Sequence, residues 1–319
     1  MHYVVPLMLG GIGAFLLYKG ATLLVDSSTA LAKNYGIPLI AISFTIVALG
    51  TSMPKLIVGI IAGISGEGDL VLGNIIGGNI ANVLLVLGIG ALIAPVGFPP
   101  KDSRLELYSF MLSPVLLFAL AYDGTLSRVD GAVLFGLGAG FIAAIIHLNK
   151  DKEKVREMVE RVVTVQHRRE RLRNLLAIAG GVALLFAGAA VMVDNASAVA
   201  RLFGVSELLI GLTLVGVGTS LPEIVTTVVS SARRTHALTM GNLIGSNILN
   251  ILTMLGLTVM IAPARVAPTL LRYDLPVLVV VCVAIAFLVR GGRRLSRTTG
   301  ALLIGSYAVY AGFAATLAR

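Results

Sequence analysis

Residues 73–82 read GNIIGGNIAN and residues 241–250 read GNLIGSNILN, a repeat that decides how this chain folds. The copies lie 168 positions apart, the difference between 241 and 73, and 36–95 aligns with 204–263 at that offset without a gap. In each copy, polar or small residues recur every four positions, which places them on one helix face. They are Asn74, Gly78 and Asn82 in the first copy and Asn242, Ser246 and Asn250 in the second.

A second repeated motif precedes the first, because residues 50–55 read GTSMPK and residues 218–223 read GTSLPE. Each proline lacks the N–H that would bond the carbonyl four residues earlier, so both helices are expected to break there. In a membrane such a break survives only where it is buried in protein or lines a watery cavity. Freed carbonyls and nearby hydroxyls are hard oxygen ligands, which suit sodium and calcium. The residues concerned are Gly50, Thr51, Ser52 and Pro54, and Gly218, Thr219, Ser220 and Pro222.

The two motifs differ at the position after the proline, where Lys55 is matched by Glu223. Glu223 is expected to be the one carboxylate deep inside a membrane span. A charged residue there costs about 2.5–3.5 kcal/mol on insertion scales, which indicates a functional site. Substrate sites of inverted-repeat transporters lie at the repeat interface. We therefore expect Lys55 and Glu223 to come within salt-bridge reach.

The composition places most of the chain in lipid. Of 319 residues, 57% are hydrophobic and 13% are charged, with a mean hydropathy of +0.94, whereas soluble domains have about 25% charged residues. The single cysteine, Cys282, excludes a disulfide framework. The basic residues behind the net charge of +9 fall between apolar spans, so the expected partners are the lipid bilayer and inorganic cations, not nucleic acid. We find no nucleophile–base set and no His/Cys cluster, so neither an enzyme nor a cofactor is expected.

Ten apolar runs are long enough for transmembrane helices. They predict an all-α integral membrane protein of ten transmembrane helices in two inverted five-helix repeats. Each half would have five spans, and an odd number per half inverts the second half in the membrane. The halves would be 1–148 and 174–319, joined by a basic linker at 149–173. The spans are expected at 3–32, 38–65, 70–94, 104–122, 127–148, 174–200, 206–231, 238–262, 270–290 and 299–317.

Basic residues set the orientation, because loops facing the cytoplasm are enriched in Lys and Arg. If the 149–173 linker is cytoplasmic, 18 basic residues fall on that side and 5 on the other. This predicts a multi-pass protein of the cell membrane with both termini extracytoplasmic.

The paired motifs resemble the alpha repeats of the calcium/cation antiporter superfamily, and most closely its prokaryotic sodium/calcium exchanger branch. The resemblance covers nearly the whole chain. It implies secondary active cation antiport, with Na⁺, Ca²⁺ or H⁺ as transported ions.

In that family the residue after each motif proline is typically a glutamate that binds the transported ion, so Glu223 fits and Lys55 departs from the pattern. Gly78 also departs, because it stands where a serine-like ligand is expected. The resemblance implies a metal-ligand set of Glu223, Asn82 and Asn250. It implies further hydroxyl ligands at Thr51, Ser52, Thr219, Ser220 and Ser246.

Lys55 leaves three functions open. The first is a cation antiporter with altered ion use, carrying a monovalent cation or a proton. The second is an inactive or engineered exchanger variant that Lys55 locks. The third is a carrier of an anionic or zwitterionic solute that binds Lys55. The sequence leaves the oligomeric state undecided.

Overall fold

The computed structural model describes residues 4–35, 39–97, 104–148, 165–203, 218–290 and 293–317. In those ranges nine helices are long and apolar enough to cross a membrane, and a tenth apolar helix is shorter. This confirms the expected all-α membrane architecture. In chain order the helices are α1 Val4–Tyr35, α2 Leu39–Ile64, α3 Gly68–Ile93, α4 Arg104–Leu120, α5 Arg128–Leu148, α6 Val165–Leu202, α7 Leu221–Ala232, α8 His236–Ile261, α9 Leu270–Val289 and α10 Arg297–Leu317.

Several of these helices contain a π-helical turn, the wider turn that often marks a functional site. One such turn begins at Asn82 in α3 and another at Asn250 in α8, which are equivalent positions of the repeat. Two more span Ser43–Val47 in α2 and Leu270–Asp274 in α9. In each copy of the motif, the last residue of the polar helix face is therefore also the first residue of a π-helical turn.

The break expected at Pro54 is absent, because α2 stays helical from Ala48 to Ile64 with Pro54 inside it. Membrane helices tolerate proline where local π adjustments and packing satisfy the freed backbone groups, and α2 has its π turn just before Gly50. The second half behaves differently. There α7 begins at Leu221 with Pro222 in its first turn, where a missing N–H costs no intrahelical bond.

Two of the segments expected from the sequence are described only in part. α6 begins at Val165, inside the segment expected to be a linker, so its described part is helical; residues 149–164 lie outside the described ranges. The span expected at 206–231 is described only from 218 onward, and α7 forms its second part.

The two halves interlock through their third and fifth helices. α5 packs on α8, where a Cβ at Gly131 would lie 2.6 Å from the backbone N of Met260. In the same way α10 packs on α3, where a Cβ at Gly88 would lie 2.9 Å from the Gly300 carbonyl. Since α3 and α8 are equivalent in the repeat, each half completes the core of the other.

Short strand pairs join the halves at both ends of the bundle. β1 (Val96–Gly97) pairs antiparallel with β4 (Arg294–Leu295), and β2 (Thr125–Leu126) pairs with β3 (Ala264–Arg265). Strands that pair must lie at the same membrane face, so the chain crosses an even number of times between β2 and β3. α5, α6 and α8 are each long enough to cross, whereas the described α7 is shorter, at 12 residues.

α1 and α6 form a long helix pair beside this core, brought together by glycines. A Cβ at Gly20 would lie 2.7 Å from the Gly181 carbonyl, and one at Gly188 would lie 2.7 Å from the backbone N of Leu17. Gly20 and Gly188 are equivalent in the repeat. Small residues permit such close approach of membrane helices, so the pair preserves the two-fold relation.

Candidate cation site

Lys55 of α2 and Glu223 of α7 form an ion pair at the interface between the halves, which confirms their expected contact. The Lys55 side chain is fully buried and that of Glu223 is 2% exposed. Lys55 Nζ donates to Glu223 Oε1 and lies 3.4 Å from the Thr219 carbonyl oxygen. A buried charge is tolerated when it is paired and hydrogen-bonded. The pair therefore holds one negative and one positive group with no formal net charge.

The position of Glu223 follows from how α7 begins. Pro222 stands in the first turn, and Glu223 lies in that same turn. The N-terminus of a helix carries a partial positive charge that stabilises a carboxylate. The helix start therefore adds a favourable interaction with the Glu223 carboxylate to the one that Lys55 provides.

Two threonines expected as ligands also link the halves. Thr51 Oγ1 donates to Asn242 Oδ1 at 3.1 Å, and Thr219 Oγ1 donates to Asn74 Oδ1 at 3.0 Å. The two bonds are equivalent in the repeat, with donor and acceptor exchanged between halves. Each threonine hydroxyl therefore holds an asparagine of the opposite half in place.

Asn79 and Asn247 belong to this site although sequence reasoning did not select them. Asn79 Nδ2 donates to the Asn247 carbonyl at 3.0 Å, and Asn250 Nδ2 donates to Asn79 Oδ1 at 2.8 Å. They lie off the face shared by Asn74, Gly78 and Asn82, which is why periodicity missed them. Their presence in both motif copies was the signal that could have found them.

Several buried oxygens of residues in the two repeated motifs have no hydrogen-bond partner among the described residues. Burying such a group without a partner costs about 1–3 kcal/mol, a cost that a bound cation would offset. Hard cations take carboxylate, carbonyl and hydroxyl oxygens of this kind. The atoms are Glu223 Oε2, Asn82 Oδ1, Asn250 Oδ1, Ser52 Oγ and Ser220 Oγ.

Ser246 is the remaining expected ligand, and one further buried carboxylate lies in α4. Ser246 is buried, donates to the Leu243 carbonyl at 3.0 Å and accepts from Asn82 Nδ2 at 3.5 Å. Glu106 is a second buried carboxylate, but it lies in the first turn of α4 and not deep inside a span. Within the described ranges no three His, Cys, Asp or Glu residues gather as a metal cluster.

The second half carries a stripe of buried hydroxyls that the first half lacks. On α7 these follow Glu223 at helical spacing, and Thr239 of α8 joins them through a 2.7 Å bond to Ser230 Oγ. The residues are Thr226, Thr227, Ser230, Ser231 and Thr239. Their equivalents in the first half are Val58, Gly59, Ala62, Gly63 and Val71. The halves have thus diverged well beyond position 55.

Gly78 makes room for the lysine. A Cβ at Gly78 would lie 3.0 Å from Lys55 Cε and 3.9 Å from Ser220 Oγ. Its repeat equivalent is Ser246, which faces no lysine. The two departures from the family pattern, Lys55 and Gly78, are therefore sterically matched to each other.

This matching predicts a coupled pair of substitutions. We expect Gly78→Ser to lower the free energy of unfolding by about 1–3 kcal/mol, because it overpacks against the buried lysine stem. In a Lys55→Ala background the same change should cost less, with a coupling energy of about 0.5–3 kcal/mol. Denaturation of the four proteins in detergent measures it, and equal costs in both backgrounds would contradict the contact.

Comparison with known proteins places this geometry in a family. The model of the sodium/calcium exchanger protein family matches residues 5–147 and 173–316, which are the two halves. The chain is 34% identical over 310 residues to inner membrane protein YrbG of Escherichia coli (strain K12), covering 94% of this chain and 93% of that protein. It is 29% identical over 333 residues to the sodium/calcium exchanger MaX1 of Methanosarcina acetivorans, covering 94% and 95%.

The fold has a solved counterpart. A structure of the sodium-calcium exchanger NCX_Mj superposes with a TM-score of 0.86 at 24% identity, covering 97% of this chain and 98% of that one. The family match over both halves and the ten-helix repeat architecture agree. The chain therefore belongs to the sodium/calcium exchanger family and is a multi-pass membrane cation antiporter of that family.

Proposed function

We propose that this antiporter exchanges monovalent cations, one at a time, at Glu223, and that each cation must displace the Lys55 ammonium from that carboxylate. The observation that carries the proposal is the buried contact between Lys55 and Glu223. Sodium is the cation proposed, and a second monovalent cation or a proton is the exchanged ion.

Charge balance favours a monovalent ion. Glu223 alone offers one negative charge, which one monovalent cation neutralises once the ammonium has left. A calcium ion would leave one positive charge without compensation in the membrane interior. If Lys55 stayed charged beside the calcium ion, the two would also repel each other. Two unit charges about 4 Å apart interact by about 4 kcal/mol at an effective dielectric of about 20, and a divalent ion doubles that repulsion.

The ligands proposed for the cation are the unpartnered oxygens around the pair. Glu223 Oε2 would supply the charge, the amide oxygens of Asn82 and Asn250 would supply neutral ligands, and Ser52 and Ser220 would add hydroxyls. Asn82 and Asn250 begin the π turns of α3 and α8, so backbone adjustment is available where ligands must close on an ion.

A permanently locked exchanger is the second candidate, and the same ion pair favours it. If Lys55 never leaves Glu223, the tethered ammonium fills the position that a cation needs. A carrier of an anionic solute is less well supported, because Lys55 Nζ already directs its hydrogens toward Glu223 Oε1 and the Thr219 carbonyl. The ammonium therefore has few donor hydrogens left for an anion.

We further propose that 1–148 and 174–319 are the two transporting halves and that the basic segment 149–173 faces the cytoplasm. Both termini would then be extracytoplasmic. The 18-to-5 division of basic residues supports this orientation, and the strand pairs β1–β4 and β2–β3 would lie at the cytoplasmic and extracytoplasmic ends respectively.

The proposal predicts that Glu223→Gln abolishes cation exchange. The amide keeps the shape of the side chain and removes the only charge that would balance the ion, so ²²Na⁺ exchange in proteoliposomes should fall to the level of protein-free liposomes. Glu106→Gln is the matched control, because it makes the same change at a buried carboxylate outside the site. Unimpaired exchange in Glu223→Gln would remove the site assignment.

A second prediction concerns Lys55→Glu. The substitution replaces a repelling ammonium with two oxygens and moves the charge of the site by two units, so calcium affinity should rise at least about tenfold, or roughly 1.4 kcal/mol. Titration calorimetry with calcium measures the gain. Lys19→Glu should show none, because Lys19 is exposed and lies over the Phe15 ring. An unchanged calcium affinity in Lys55→Glu would contradict the idea that the charge of Lys55 excludes calcium.

A further inference from the structure

A second polar cavity lies outside the cation site, at the membrane face where α7 ends. Its volume is about 380 Å³, and four basic residues line it together with the hydroxyl of Ser231 and the end of α3 at Ile93–Pro95. The basic residues are Arg234, His236, Arg294 and Arg297. Nothing in cation exchange at Glu223 requires such a cluster.

Three chain segments meet at this cavity. Arg234 occupies the turn between α7 and α8, Arg294 lies in β4, and Arg297 begins α10. The first half closes the cavity, because Arg297 Nη2 donates to the Ile93 carbonyl at 3.4 Å and β1 pairs with β4. The cavity is thus built at a junction of both halves, not on a single exposed helix.

The positive charge here is not compensated by protein. Within the described ranges no carboxylate pairs with Arg234, Arg294 or Arg297, and the Asp26 carboxylate is already paired with the neighbouring Arg233. Like charges gathered around one cavity repel each other. Arg234, Arg294 and Arg297 are all exposed, so solvent screens part of this repulsion. An anion placed between them would relieve the rest.

Two local features distinguish this cavity. Arg234 is the one non-glycine residue of the described ranges with a positive φ, at 55°, a conformation that persists only where its surroundings require it. His236 Nδ1 is buried without a hydrogen-bond partner, and Ser231 is buried with its hydroxyl 3.4 Å from Thr239 Oγ1. Polar groups from two helices therefore accompany the arginines.

We propose that this cavity binds a phosphate group, held by Arg234, Arg294 and Arg297. Guanidinium groups suit phosphate because their planar fork gives paired, charge-assisted hydrogen bonds to its oxygens. The phosphate belongs either to free inorganic phosphate or to the headgroup of an anionic phospholipid, since the cavity opens at a membrane face. This site is separate from the proposed function and does not depend on which cation is exchanged.

The first test is ligand-dependent thermal stability of the full chain in detergent. Phosphate should raise the Tm of the wild-type protein above that in chloride at equal ionic strength, because a ligand that binds only the folded state stabilises it. Arg294→Gln should weaken the apparent phosphate affinity at least about tenfold, the factor that corresponds to loss of a strong charge-assisted hydrogen bond. Arg272→Gln is the control, because it removes an exposed arginine in α9 outside the cavity.

The second arm identifies the source of the phosphate. Native mass spectrometry after exchange into phosphatidylglycerol or phosphatidylcholine should show retained phosphatidylglycerol in the wild-type protein and loss of it in Arg294→Gln if a headgroup occupies the cavity. A response to inorganic phosphate alone supports the free anion. Absence of both responses, or responses that Arg294→Gln and Arg272→Gln share equally, would overturn the proposal while leaving cation exchange untouched.

Discussion

The contact between Lys55 and Glu223 is the constraint on which the rest of the site depends. Neither charge could stay in the membrane interior alone, since an unpaired buried charge is far more costly than a paired one. Their meeting requires the two halves to place equivalent positions side by side. It also requires α7 to begin just before Glu223 and Gly78 to leave space for the lysine stem. The inverted repeat supplies the first condition, and local sequence supplies the others.

The surrounding polar groups hold that interface in register. The Thr51–Asn242 and Thr219–Asn74 bonds are exchanged copies of one interaction, and Asn79 reaches across to Asn247 and Asn250. Among the described residues, buried oxygens of Glu223, Asn82, Asn250, Ser52 and Ser220 remain without partners, and these are the ligands proposed for an ion. The two halves share this scaffold but not its chemistry, because the hydroxyls that follow Glu223 are replaced by glycine, alanine and valine after Lys55.

Sequence reasoning could predict the parts that the repeat encodes. A constant offset fixes which residues are equivalent, and it therefore predicted the Lys55–Glu223 contact and the helix architecture. It could not predict the helix through Pro54, because the same motif begins a helix at Pro222 and lies within one at Pro54, and tertiary packing decides between the two. Asn79 and Asn247 were missed because the sequence analysis considered only the helix face at four-residue spacing, whereas these two residues contact the other half from an adjacent face.

We propose that the ammonium of Lys55 and a monovalent cation compete for Glu223. Equilibrium binding of ²²Na⁺ to the purified wild-type protein and to Lys55→Met tests it most directly, because methionine keeps the length of the stem and removes the charge. The account predicts one sodium ion per chain and an affinity at least about tenfold higher in Lys55→Met, which corresponds to roughly 1.4 kcal/mol. Sodium binding that is unchanged or weaker in Lys55→Met would contradict it.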